Sequence, residues 1–181
     1  MLSVDSLRSY QEVADITAIY PKRMDKDVLK NTGGIIYTIL GLVGECGEFM
    51  ELYEGIKYPN AVPREQVVKE AGDVCWYIVE VLKELEIPVD VLSSTMETDV
   101  CESILTLACR CAELTKKKIR DSGPSGVYIT GVIQCLRCIL HNLEKILLGS
   151  GISLQEVLDA NNKKLLSRME RGKLKGEGDD R

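Results

Sequence analysis

The sequence predicts an all-α fold. Three observations point to it: apolar residues recur at helical spacing through most of the chain, no segment shows the strict alternation of a half-buried strand, and proline- or glycine-containing breaks divide the pattern into helix-length pieces. With 181 residues, 45% of them hydrophobic, the chain has enough apolar mass for one sizeable core. A single domain over residues 1–171 is expected, followed by a polar, flexible tail, 172–181.

The elements follow in order. Val4 to Tyr20 carries a helical pattern that stops at Pro21. A second helix starts between Asp25 and Lys30 and runs to about Ile56, with Ile35, Ile39, Leu42 and Phe49 among its apolar residues. Its glycines, Gly33, Gly34, Gly41, Gly44 and Gly47, each cost roughly 1 kcal/mol of helix propensity against Ala. Close approach by another backbone or by a ligand is the expected compensation. Asn31, Gly34, Thr38 and Gly41 share one polar or empty face with Glu45 and Glu48 and are expected to wall a groove.

Pro63 opens a third helix that continues to about Glu86, packed through Val67, Val74, Ile78, Val81, Leu82 and Leu85. Pro88 ends it, and a short helical segment follows. Asp99 to Arg120 is the next helix, the run from Asp121 to Gly126 is a turn, and Val127 to Leu148 is a further helix. Ser153 and Glu156 form a capping box that starts a last helix reaching about Met169. The stretch from Leu82 past Pro88 is echoed by the stretch from Leu143 past Ile152, each a long helix, a break at isoleucine and a new helix. A half over residues 31–92 and a degenerate helical half over 99–169 are therefore expected.

A formal charge of −5, from 23 basic and 28 acidic residues, argues against general nucleic-acid binding. Met1 leads into Asp5 and Arg8 without an apolar leader, and no stretch is long and apolar enough to span a membrane, so a cytoplasmic protein with no membrane partner is expected. The seven cysteines sit mostly inside apolar helical patterns and are expected as reduced, buried small hydrophobes rather than zinc ligands. His141 is the only histidine, which excludes a diiron bundle built on paired Glu-x-x-His motifs.

The chemistry concentrates between Gly44 and Tyr77. Glu45 with Glu48, and Glu70 with Asp73, are two i, i+3 carboxylate pairs in apolar, glycine-flanked helices, each pair on one helix face. A single such pair is usually a solvated surface; two in apolar surroundings point to four acids that meet, and acids that meet must take up protons or hold a cation. Hard oxygen donors without imidazole or thiolate select Mg2+ or Mn2+, and hence phosphoryl or nucleotidyl cleavage. Trp76, beside this motif, either packs the core or stacks a base.

Gly44-Glu45-Cys46-Gly47-Glu48 together with Glu70-Ala71-Gly72-Asp73 resembles the ExxE and ExxD motif pair of the MazG-like all-α nucleoside triphosphate pyrophosphohydrolases, a superfamily that includes dimeric dUTPases. The segment from Asn161 to Arg168 is similar to an Asn-x-x-Lys-Leu-x-x-x-Arg segment of the same proteins. The resemblance covers residues 31–92 well and 159–181 moderately, and leaves 93–150 unmatched by a short MazG domain, as in the longer dUTPase-like members. It implies Mg2+-dependent hydrolysis of a nucleoside triphosphate to monophosphate and pyrophosphate, in nucleotide-pool housekeeping.

Carried over by residue, the resemblance implies that Glu45, Glu48, Glu70 and Asp73 bind the metal, one of the glutamates also orienting the attacking water. Asn161 and Lys164, with Lys57 and Arg168 as secondary candidates, would face the phosphates. From the helix face itself, apart from the resemblance, the groove at Asn31, Gly34 and Thr38 is a candidate pocket for the base. A dUTPase- or dCTPase-type enzyme differs only in base selectivity; a non-catalytic helical module binding a cation or a partner is the competing class. Apolar positions on the long helices leave surface for a homodimer, although packing of the two halves on each other uses the same residues.

Overall fold

The computed structural model describes residues 4–17, 28–56, 62–93, 102–121 and 125–174, with the side chains of the second helix described over 33–53. The elements are α1 (Val4–Thr17), α2 (Val28–Ile56), α3 (Arg64–Glu84), a short 3₁₀ helix (Val89–Ser93), α4 (Ile104–Asp121), α5 (Ser125–Gly149) and α6 (Leu154–Glu170). The fold is all-α, with no strand among the described residues. No described helix is long and apolar enough to cross a membrane.

The helices pair as two hairpins, α2 with α3 and α4 with α5. These join where α2 packs on α4, while α1 and α3 both pack on α6. One core runs through all six helices. Tyr10, Leu42, Phe49, Ile78, Leu107, Leu136, Ile139 and Leu158 are among its fully buried side chains. At about 25 cal/mol per Å2 of apolar surface removed from water, this shared core is what holds the two hairpins together.

The α2–α3 seam explains two of the costly glycines. A Cβ on Gly41 would lie 2.0 Å from the Tyr77 ring, and one on Gly34 would lie 2.0 Å from the Glu84 carboxylate. Seven residues back along α2 thus match seven forward along α3, an antiparallel register that carries Glu45 opposite Asp73 and Glu48 opposite Glu70. The expected groove is corrected here. Gly34 and Thr38 are buried, Thr38 Oγ1 donates to the Gly34 carbonyl at 3.1 Å, and the seam is filled by α3 side chains. Sequence periodicity reveals an empty face; it does not reveal the neighbour that fills it. Asn31 lies in α2, but its side chain falls outside the described set.

The helix start at Pro63 shifts by one residue, and the one at Ser153 stands where it was expected. Pro63 is the residue before α3 rather than inside its first turn, and its carbonyl accepts from Gln66 and Val67. At α6 only half of the capping box forms. Ser153 Oγ accepts from the Glu156 amide at 3.1 Å, whereas the Glu156 carboxylate takes a two-pronged bond from Arg64, at 2.7 and 3.1 Å. A charge-assisted bidentate pair outcompetes a single backbone donor. It ties the start of α3 to the start of α6.

The expected echo has a concrete counterpart at the helix ends. After α3, Ile87 N donates to Leu82 O and Glu86 N to Lys83 O; after α5, Ile152 N donates to Leu147 O and Gly151 N to Leu148 O. Both are Schellman closures. The step that carries Leu82 to Leu147 also carries Glu70 to Cys135 and Asp73 to Cys138, both buried. Small thiols therefore pack where the first hairpin carries acids. Cys101 lies outside the described residues.

The left-handed residue differs between the two closures: Gly151 at φ 68°, but Glu86 at φ 58°. A side chain in that region costs roughly 1–2 kcal/mol, partly offset in a glycine variant by the greater entropy of its unfolded chain. Glu86→Gly is expected to raise the thermal midpoint by about 2–4 °C. A lowered midpoint in differential scanning calorimetry would show that the Glu86 side chain contributes more than its backbone strain removes.

Candidate metal centre

The antiparallel α2–α3 register brings acids from two helices to one place. Single carboxylate oxygens of Glu45, Glu70 and Asp73 all lie within 4.8 Å of one another, with Glu70 buried and the other two half-buried. Glu48, the fourth predicted ligand, is exposed and outside this group. The reason is rotational: three residues along a helix turn about 300°, so Glu48 sits on the solvent edge of the face Glu45 presents. Its charge still reaches Glu45.

Three like charges in a half-buried place are unfavourable unless they are offset. Burial chiefly, with repulsion from Asp73, Glu48 and Glu70, pushes the Glu45 carboxyl up to about 7, against a smaller downward pull from Lys164. Lys164 Nζ also donates to Asp73 Oδ1, and Lys69 Nζ donates to Glu70 Oε1 at 2.8 Å. Two ammonium groups thus stand where positive charge is needed. The donor set is all carboxylate oxygen, and it fits a hard divalent cation such as Mg2+ or Mn2+.

Behind the acids lies a chain of hydrogen bonds from three helices. Asn161 of α6 donates through Nδ2 to Asp73 Oδ1 at 3.1 Å, and Tyr10 of α1 donates to Asn161 Oδ1 at 2.6 Å, with the Gly72 carbonyl 3.1 Å from the same hydroxyl. Tyr10 is fully buried, and that burial pushes its phenol well above its ordinary value, so it remains a donor. By accepting from Tyr10, the Asn161 carboxamide is held with its NH2 toward Asp73. Gly72 makes this possible, because a Cβ there would lie 2.6 Å from Asn161 Nδ2. Asp73 Oδ1 takes both Asn161 and Lys164.

Of the predicted residues, Glu45, Glu70, Asp73, Asn161 and Lys164 come together. Arg168 is buried on α6, one helical turn beyond Lys164. Trp76 is half-buried against the core, its ring edge-on to Tyr77 at a centroid distance of 4.7 Å. Lys57, and the tail from 175 onward, lie outside the described residues. Two residues were missed. Tyr10 had a signal, a hydroxyl in the buried stripe Leu7, Tyr10, Ala14, Thr17, where a phenol needs a partner. Lys69 had none, since a lysine beside a glutamate is ordinary surface composition.

The raised Glu45 carboxyl makes a stability prediction. Between its ordinary value of 4.5 and about 7, the folded chain holds a proton that the unfolded chain has lost, so stability falls as pH rises through that window. Glu45→Gln removes the titrating group. In chelator, its thermal midpoint is expected to exceed that of the parent by a few degrees at pH 8 and to converge with it below about pH 4.5. An offset independent of pH would rule out the crowded-acid account.

No family model matches the chain, and no solved structure matches it. Among curated proteins, the Gene 37 protein of Mycobacterium phage L5 is 35% identical over 83 residues, a match spanning 43% of this chain and 70% of that protein. At that identity, over more than two thirds of the relative, the chain belongs to the family of the phage L5 Gene 37 protein.

Proposed function

We propose that the protein is a Mg2+-dependent nucleoside triphosphate pyrophosphohydrolase, converting (d)NTP and water to (d)NMP and pyrophosphate in nucleotide-pool housekeeping. The observation that carries the proposal is the convergence of Glu45, Glu70 and Asp73 within 4.8 Å, with Lys164 and Asn161 on the same aspartate. The motif pair that resembles the MazG-like enzymes supplies these acids.

In this proposal Glu45, Glu70 and Asp73 hold the cation, and Asn161 with Tyr10 keeps Asp73 oriented toward it. Bound Mg2+ would polarise phosphate oxygens and acidify a water molecule. Glu48, at the exposed rim, is the acid left to orient the attacking water. Lys164 offsets negative charge on the phosphates. The P–O bond between the α and β phosphates breaks, water supplies the new oxygen, and pyrophosphate leaves. Base selectivity of the dUTPase or dCTPase type would be a variant of the same chemistry.

The test is pyrophosphate release from a panel of NTPs and dNTPs with Mg2+. Turnover is expected for at least one nucleotide, with Asp73→Ala and Glu48→Ala each losing about 100-fold or more. Near-normal turnover in Asp73→Ala would sink the assignment. No release from any nucleotide would favour a non-catalytic cation-binding module, in which the two lysine–carboxylate pairs are the resting state.

A homodimer through α2 is part of the same proposal. Ile36, Tyr37 and Leu40 are exposed, Leu40 by 64%, and a Cβ at Gly33 or Gly44 would meet open space, so this outer face allows close helix approach. Leu40→Glu is expected to shift the assembly toward monomer in sedimentation analysis; an unchanged sedimentation coefficient, dimeric in both proteins, would move the interface elsewhere.

A further inference from the structure

A cavity of about 330 Å3 lies between α3 and α6, immediately beside the acid cluster. Arg64, Lys69, Lys164 and Asn161 line it, with Glu65 and Glu156, and no aromatic ring is among its described lining residues to stack a base. Its volume is at the small end for ligand pockets, which run from about 300 to 1,000 Å3, and suits a polyphosphate better than a whole nucleotide.

The charges on this wall are arranged unusually. Arg64 is held by Glu156, so that pair is neutral. The other two cations, Lys69 and Lys164, line the cavity yet reach past it to Glu70 and Asp73, two of the three clustered acids. Each ammonium therefore stands between an acid that a divalent cation would take and a cavity that an anion would enter. Both lysine side chains keep part of their surface in solvent, 28% and 20%, and rotation of a lysine tip between two such partners crosses only low barriers.

We infer that the α3–α6 cavity is the seat of the pyrophosphate end of the substrate, and that Lys69 turns from Glu70 to that anion when a divalent cation occupies the acids. The inference rests on the proposed phosphohydrolase chemistry for the identity of the anion. Its geometry, however, stands on the two lysine–carboxylate pairs and the cavity they share. The cation and the anion thereby bind cooperatively: the cation takes Glu70 from Lys69, and Lys69 then stabilises the anion.

This arrangement makes Lys69 act with opposite signs on two ligands. Lys69→Met removes a competitor for Glu70, so calorimetric titration with Mg2+ alone is expected to show severalfold tighter binding. Titration with inorganic pyrophosphate in excess Mg2+ is expected to show affinity about tenfold weaker, the loss of one charge-assisted hydrogen bond. Lys69→Arg is expected to recover most of the pyrophosphate affinity. Weakening of both ligands in Lys69→Met would mark Lys69 as merely structural and overturn the inference, as would unchanged pyrophosphate affinity. If no nucleotide is hydrolysed but the opposite shifts are observed, the cavity assignment stands without the enzymatic one. If nucleotides are hydrolysed and the shifts are absent, the enzyme stands without this cavity.

Discussion

Repulsion among Glu45, Glu70 and Asp73 is the constraint around which the rest of the structure is arranged. Three carboxylates within 4.8 Å in a half-buried place work against folding, and the chain offsets them locally. Lys69 and Lys164 supply positive charge, Asn161 supplies an amide donor, and Glu45 is driven toward its protonated form. Such a tension is common where a site is built for something other than stability. It also couples the helices, since the acids come from α2 and α3, one lysine and the amide from α6, and the hydroxyl behind the amide from α1.

Close backbone approach is what lets these short side chains meet. Gly41 admits the Tyr77 ring, Gly34 admits the Glu84 carboxylate, and Gly72 admits Asn161, each where a methyl group would collide. The propensity cost of glycine inside a helix is thus offset by contacts that no larger residue permits. Gly72 has the most direct bearing on the site: it lies one residue before Asp73, and a Cβ there would lie 2.6 Å from the Asn161 amide nitrogen.

The second hairpin repeats the helix-end closure of the first without its acids. The α3 and α5 ends close with the same hydrogen bonds, yet the positions in step with Glu70 and Asp73 are the buried thiols Cys135 and Cys138. Small apolar side chains carry no repulsion to offset, so this half needs no lysines at the matching place. Its contribution is packing, through α4 against α2.

The sequence by itself determined the helical class, five of the six helices to within a few residues, and the acids that converge, because 3.6-residue periodicity, breaker residues and i, i+3 spacing are local properties. It also pointed to Asn161 and Lys164, through their motif resemblance rather than their spacing. Only the tertiary structure decided what fills the α2 face, that Glu156 turns to Arg64 rather than its own cap, that Glu48 stands apart from the other acids, and that Tyr10 and Lys69 belong to the site. All of these but the Lys69–Glu70 pair depend on which helix lies alongside and in what register, and a partner many turns away in the chain leaves no trace in local pattern.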